Sequence, residues 1–194
     1  MPRHNHSDEI YQAALEIMAE TGYHAASIRD IVRRVGIKES SFYNHYASKH
    51  ELLERMEAEI WTEWEGVLRD GRNDRRDDLA PMDYFRALFR DLIPEQERML
   101  LACKIVQDSE GIDVSCRESQ RMIHVRLHRR IQQDLQTLLQ EGRVRPVDIM
   151  SLSQTMTSLF QSCHRMICLE PQMIKERSEG FFSSLRCLIS PLLL

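Results

Sequence analysis

The chain has 194 residues, 42% apolar and 29% charged, with a formal net charge of −4; this is the balance of a globular protein of one or two domains and excludes a disordered or fibrous chain. Seven glycines and six prolines are too few for a sandwich or barrel that turns about every ten residues. No stretch reaches the roughly 18–20 uninterrupted apolar residues of a membrane span, and the opening MPRHNHS leads into amphipathic sequence, so neither an export signal nor a membrane anchor is expected. Five cysteines, at 103, 116, 163, 168 and 187, form no CxxC pair and leave an odd one over. They read as reduced thiols of a cytoplasmic protein, with neither a disulfide framework nor a structural zinc site and no cofactor.

Apolar residues recur at helical spacing nearly throughout and no period-2 segment is long enough for a strand, so the expected fold is all-α with about nine helices. The first helix follows Ser7, places Asp8 and Glu9 in its opening turn and stops at Gly22. A short second helix is capped by Ser27, with Asp30 as its capping-box partner, and ends at Gly36. A third of about two turns runs from near Glu39 to His45. A fourth opens with the Ser48/Glu51 capping box and carries Leu53, Met56, Ile60, Trp64 and Val67 on one stripe. The polar stretch LRDGRNDRRDD, beginning at Leu68, is the linker candidate that ends it. Beyond it, stripes through Phe85–Leu92, Met99–Val106, Ile123–Leu138, Ile149–Ile167 and Ile174–Leu192 mark five more helices. The expected division is an N-terminal head at 1–48 and a second domain at 49–194, with the fourth helix, about 49–70, connecting them.

Two short helices joined by a glycine turn have the outline of a helix-turn-helix. From Ser27 to Lys49 there are five cations and two acids, a net of +3 that leaves −7 for the rest of the chain, so a basic reading head sits on an acidic protein. A helix that enters the major groove needs exposed residues small enough for close approach and able to donate to bases or phosphates. Lys38, Ser40, Ser41 and Asn44 meet that need, and Asn44 can form a bidentate pair with adenine. Tyr43 offers a hydroxyl on a rigid arm, Lys49 a charge beside the start of the fourth helix, and Arg29 a reach to guanine or phosphate.

The string SIRDIVRRVGIKESSFYNHYASKHELL, Ser27 to Leu53, with Gly22 and Tyr23 ahead of it, closely resembles the DNA-binding domain of the TetR family of bacterial transcriptional regulators. The match covers about the first quarter of the chain. The resemblance implies DNA contact at Ser27, Arg29, Ser40, Ser41, Tyr43, Asn44, His45 and Lys49. The sequence departs from the family pattern where the third helix opens: Lys38 stands where a side-chain cap is common, and the acid Glu39 follows. The resemblance also implies a small-molecule effector in a pocket enclosed by the fourth to seventh helices, with Met82, Phe85, Phe89, Met99, Cys103, Met122 and Phe160 as its candidate lining.

A two-turn helix reads too few base pairs for specificity, so a homodimer on a near-palindromic double-stranded DNA operator is expected. The resemblance places the dimer interface on the last two helices, where Ser153, Ser158 and Ser162 would permit close approach and the tail CLISPLLL would otherwise leave an exposed patch. The function expected is that of a ligand-responsive transcriptional regulator, a repressor, and not an enzyme. The alternatives are a constitutive DNA-binding regulator without an effector, and an α-bundle enzyme using His124 and His128, which stand at metal-ligand spacing i, i+4. Arginines 126, 129 and 130 crowd that pair with positive charge and argue against a metal there. An inward-turned Arg126 or His124 would instead imply an anionic ligand.

Overall fold

The computed structural model describes residues 6–70, 79–94, 96–109 and 114–193. Among them are nine α-helices: α1 His6–Thr21, α2 Ile28–Val35, α3 Glu39–Phe42, α4 Lys49–Asp70, α5 Pro81–Asp91, α6 Glu97–Ser109, α7 Val114–Gln140, α8 Ile149–Leu169 and α9 Ile174–Ile189, with short 3₁₀ turns at Pro171–Met173 and Ser190–Leu192. No strand occurs among the described residues, only an isolated bridge between Val144 and Leu193. No helix of the described residues is long and apolar enough to cross a membrane. The expected all-α fold is the observed one. Residues 71–78, which hold most of the anticipated linker, lie outside the described residues, while Leu68 and Arg69 still belong to α4.

Compactness divides the chain inside α4. One unit takes the chain through Trp61 together with Glu95–Arg117, and the other comprises Thr62–Pro94 and Glu118–Leu194. The functional division expected at residue 48 follows the end of the reading segment, whereas compactness also counts what packs on it: α6 and α2 both lie against α1. Periodic apolar residues explain this. Ile10, Ala14, Leu15 and Met18 of α1, Ile31 of α2, Phe42 after the turn, and Leu52, Leu53 and Met56 of α4 are all buried. Lys104 of α6 donates to the carbonyl of Ala19 at 2.8 Å, satisfying one of the last carbonyls of α1 that the helix leaves unpaired.

Tyr11 is the largest polar side chain in this first core and is fully buried. Its ring lies between the guanidinium of Arg55, 4.3 Å from the centroid, and that of Arg98, 4.6 Å away. Its hydroxyl donates to Glu59 at 2.8 Å, and Arg98 reaches the same carboxylate at 2.9 Å. A buried tyrosine with its donor satisfied costs little to bury and ties α1, α4 and α6 by contacts that no apolar residue supplies. Desolvation first, then the bond to Glu59, pushes the Tyr11 hydroxyl well above its ordinary value of 10.0.

The second unit is built on an aromatic cluster. Phe89 stacks on Phe160 at 5.1 Å between centroids, and Phe181 meets both edge-on at 5.1 and 5.8 Å. Leu127, Ile131, Leu135 and Leu138 bury the expected stripe of α7. Two expectations change here. Ser153 is not a surface residue for helix approach: it is fully buried and its hydroxyl donates back to the Met150 carbonyl. The tail is also held within its own unit, because Ile189 is buried and the Arg145 amide donates to the Leu192 carbonyl at 2.8 Å.

Candidate nucleic-acid interface

The α2–turn–α3 segment is specified locally. Ser27 takes an extended conformation and its hydroxyl oxygen accepts from the Asp30 amide at 3.1 Å, while the hydroxyl donates to the Asp30 carboxylate at 2.5 Å. The expected capping box is therefore present. That donated bond, helped by the neighbouring Arg33 charge, holds the Asp30 carboxyl below its ordinary 3.8. Gly36 closes α2 at φ +79°, its amide returning to the Val32 carbonyl, a left-handed conformation that side-chain-bearing residues resist.

The third helix is shorter than expected. Regular α structure covers only Glu39–Phe42, and the chain then winds on by three-residue steps, Asn44 amide to Ser41 carbonyl and His45 amide to Phe42 carbonyl. Tyr46 draws the turn inward: it is buried, and its hydroxyl exchanges bonds with Ser7 and Arg55. Lys38 occupies the N-cap in an extended conformation without a side-chain cap bond, as its departure from the family pattern implied. Ser48 caps α4 by accepting from the Glu51 amide at 3.2 Å; in return the Glu51 carboxylate accepts from the Ala47 amide, one residue earlier than a standard box would place it.

Arg29, Lys38, Ser40, Tyr43 and Asn44 are exposed, Tyr43 at 54%. Ser41 and His45 are half-buried. Among the described residues, none of the exposed five uses its side chain in a hydrogen bond or ion pair within the chain. Their neighbours behave otherwise: Arg33 is paired with Asp30 and Arg34 with Glu16, so those two cations are partly neutralised where they stand. Phe42, fully buried, meets the ring of Tyr43 edge-on at 5.5 Å between centroids.

Lys49, the expected phosphate clamp, is engaged within its own unit. Its ammonium donates to the carbonyls of Tyr23 at 2.6 Å, Ala26 at 2.8 Å and His24 at 3.3 Å, and lies 4.6 Å from the centroid of the Tyr23 ring. Desolvation lowers its pKa from 10.5. All three donors of the ammonium thus have partners in the loop between α1 and α2. Sequence spacing gave no sign of this, because the acceptors lie more than twenty residues away.

The candidate ligand-lining residues are distributed over both units. Phe85, Phe89 and Phe160 are fully buried in the second unit's ring cluster and contact one another. Met82 is half-buried in that unit. Met122 is 48% exposed on α7. Met99 and Cys103 belong to the first unit. The rings of His124 and His128 lie parallel, 7° apart in plane, with centroids 6.5 Å apart. Arg126 pairs with Glu65.

Residues 10–56 match the bacterial regulatory proteins of the tetR family. Over 52 residues the chain is 36% identical to the transcriptional activator FasR of Mycolicibacterium smegmatis, covering 27% of this chain and 24% of that protein. Over 48 residues it is 38% identical to the transcriptional repressor KstR2 of Mycobacterium tuberculosis, covering 25% and 24%. The chain thus spans about a quarter of the length of these curated relatives. A TetR/AcrR-family transcriptional regulator of Aquifex aeolicus superposes with a TM-score of 0.70 over 95% of this chain and 100% of that one, at 14% identity, which shows a shared fold along nearly the whole length. The matched family and these relatives are regulators rather than enzymes. The first quarter of the chain is thus similar to the tetR family of bacterial regulatory proteins, and its helical fold is shared along nearly the whole length with a solved regulator.

Proposed function

We propose that the chain is a cytoplasmic transcriptional repressor that binds a near-palindromic operator as a homodimer and leaves it when a small molecule binds the second unit. The observation that carries the reading is the set of exposed side chains on and around α3 (Lys38, Ser40, Tyr43, Asn44) and at the start of α2 (Arg29), which are able to donate and make no side-chain hydrogen bond or ion pair among the described residues. Uncompensated polar groups grouped around so short a helix have their use in an external partner, and the net +3 of this segment in an acidic protein selects a polyanion. Arg29, Lys38 and Tyr43 hold the backbone; Ser40, Ser41 and Asn44 face bases; Ser27 and His45 border the contact. Dimerisation through α8 and α9 sets two heads roughly 34–36 Å apart, one turn of DNA. α4 is one unbroken helix from Lys49 to Asp70, so a ligand that displaces its distal end alters the spacing of the heads and favours the released state. The repressor name of KstR2 agrees with this direction of control.

The test is selection of genomic fragments on the purified protein, followed by anisotropy titration of the recovered site at several salt concentrations. Tyr43→Phe is expected to weaken binding to all sequences alike, by roughly five- to tenfold for one lost hydrogen bond. Asn44→Ala is expected to relax one position per half-site, with about 1–3 kcal/mol of lost discrimination. Recovery of no enriched sequence overturns the reading.

A further inference from the structure

The second unit contains a cleft of about 280 Å³ at the distal end of α4. Glu65 and Arg69 of α4 line it, as do Arg126, Arg129, Arg130 and Gln133 of α7; these four positions follow i, i+3, i+4, i+7 and so share one helix face. Arg130 is only 7% exposed and is committed internally. It bonds Asp134 at 2.7 Å, the Tyr84 hydroxyl at 2.9 Å and the Leu68 carbonyl at 2.5 Å, so its charge is balanced by Asp134 and it forms a fixed base.

Two of the other three arginines share one carboxylate. Arg126 pairs with Glu65, and Arg69 reaches the same side chain at 3.3 Å. Arg129 is exposed and makes no ion pair among the described residues. Among its lining side chains the cleft carries more positive than negative charge, four arginines to one glutamate, and a concave wall of low polarisability concentrates their potential. Guanidinium groups offer paired N–H donors in a geometry that fits phosphate and carboxylate oxygens. The volume suits a metabolite at the small end of ligand size.

We propose that this cleft binds a small organic dianion, a phosphate monoester or a dicarboxylate, through Arg126, Arg129 and Arg69, and that this class of molecule is the effector. Its role as effector rests on the regulator reading above; the binding site itself does not. An anion here competes with Glu65 for two arginines and engages the last turns of α4, whose first turn follows the proposed reading segment.

The experiment is calorimetric titration of the full chain, without DNA, with inorganic phosphate and with succinate, in buffer near physiological ionic strength. The unmodified protein is expected to bind at least one of the two saturably. A preference for phosphate identifies a phosphate monoester, and a preference for succinate a dicarboxylate. Arg129→Ala, at an exposed position that should not disturb folding, is expected to weaken binding by about tenfold or more, and Arg165→Ala, an exposed arginine on α8, to leave it unchanged. No binding of either anion, or equal weakening by the two substitutions, overturns the proposal. Because no DNA is present, that result leaves operator binding to be judged by its own titration.

Discussion

At the residue scale, chemistry and position decide which polar groups serve the fold and which remain for a partner. Lys49 and Asn44 both looked suited to DNA in the sequence, yet the Lys49 ammonium serves three loop carbonyls while Asn44 is exposed. Lys49→Met keeps the stem length and removes the donors, leaving carbonyls of the α1–α2 loop unsatisfied. A cost of about 1–3 kcal/mol is expected, read as a fall of several degrees in the melting temperature. The salt slope of DNA binding should stay the same, because no phosphate contact is lost; a slope lower by about one would show that Lys49 turns outward to a phosphate on binding. Ser27 gives a second test. Its hydroxyl is the main cause of the lowered Asp30 pKa, with Arg33 assisting. A carboxylate with a depressed folded pKa adds stability above its unfolded value, near 3.8, and loses it as pH falls through the folded value. Ser27→Ala is expected to cost about 1 kcal/mol through loss of the cap at neutral pH. Denaturant titrations from neutral pH to about pH 2 should show the gap between variant and parent narrowing on the acid side. A gap of constant size would mean that the hydroxyl acts on the amide alone.

Elements were legible in the sequence wherever the signal was local. The Ser27/Asp30 and Ser48/Glu51 caps and the glycine stop at Gly36 were all written within a few residues of the boundary they set, and the helix-turn-helix followed from their order. Gly36 carries a simple prediction. Nothing lies within 4 Å of where a Cβ would be placed, so Gly36→Ala meets no clash and pays only for its left-handed backbone at φ +79°. The expected loss is about 1–2 kcal/mol, measured by denaturant unfolding, and an unchanged midpoint would mean that the turn rearranges. What stayed illegible depended on distant partners. The truncation of α3 follows from the burial of Tyr46 against Ser7 and Arg55, an attachment made across some forty residues. The same is true of Lys49. On α8 the periodicity showed that an apolar stripe existed but not its width, and Ser153 and Thr157 fall inside it because each hydroxyl bonds back to its own helix, at 3.0 and 2.7 Å. Aromatic residues that could have lined a pocket instead pack on one another, and composition cannot distinguish the two.

For the whole molecule, the open question is how a single head of one short helical turn becomes selective. Two heads related by a two-fold axis double the number of bases read and fix their spacing, so specificity requires the dimer. With Ser153 buried and the C-terminal tail bound to its own unit, the exposed small residues that the proposed α8–α9 interface would use are Ser158, Ser162, Ser183 and Ser184. Small side chains let helices approach closely, and a long charged one prevents it by bulk and by the cost of desolvation. Ser158→Arg combined with Ser162→Arg is therefore expected to yield a monomer by light scattering, with the helical circular dichroism of the parent retained because both positions are exposed. Affinity for the palindromic site should fall by about a hundredfold or more, toward that for a half-site or for unrelated DNA. A variant that stays dimeric would place the interface on another face, while a monomer that still bound the whole operator with the parent's affinity would remove the need for two-fold reading altogether.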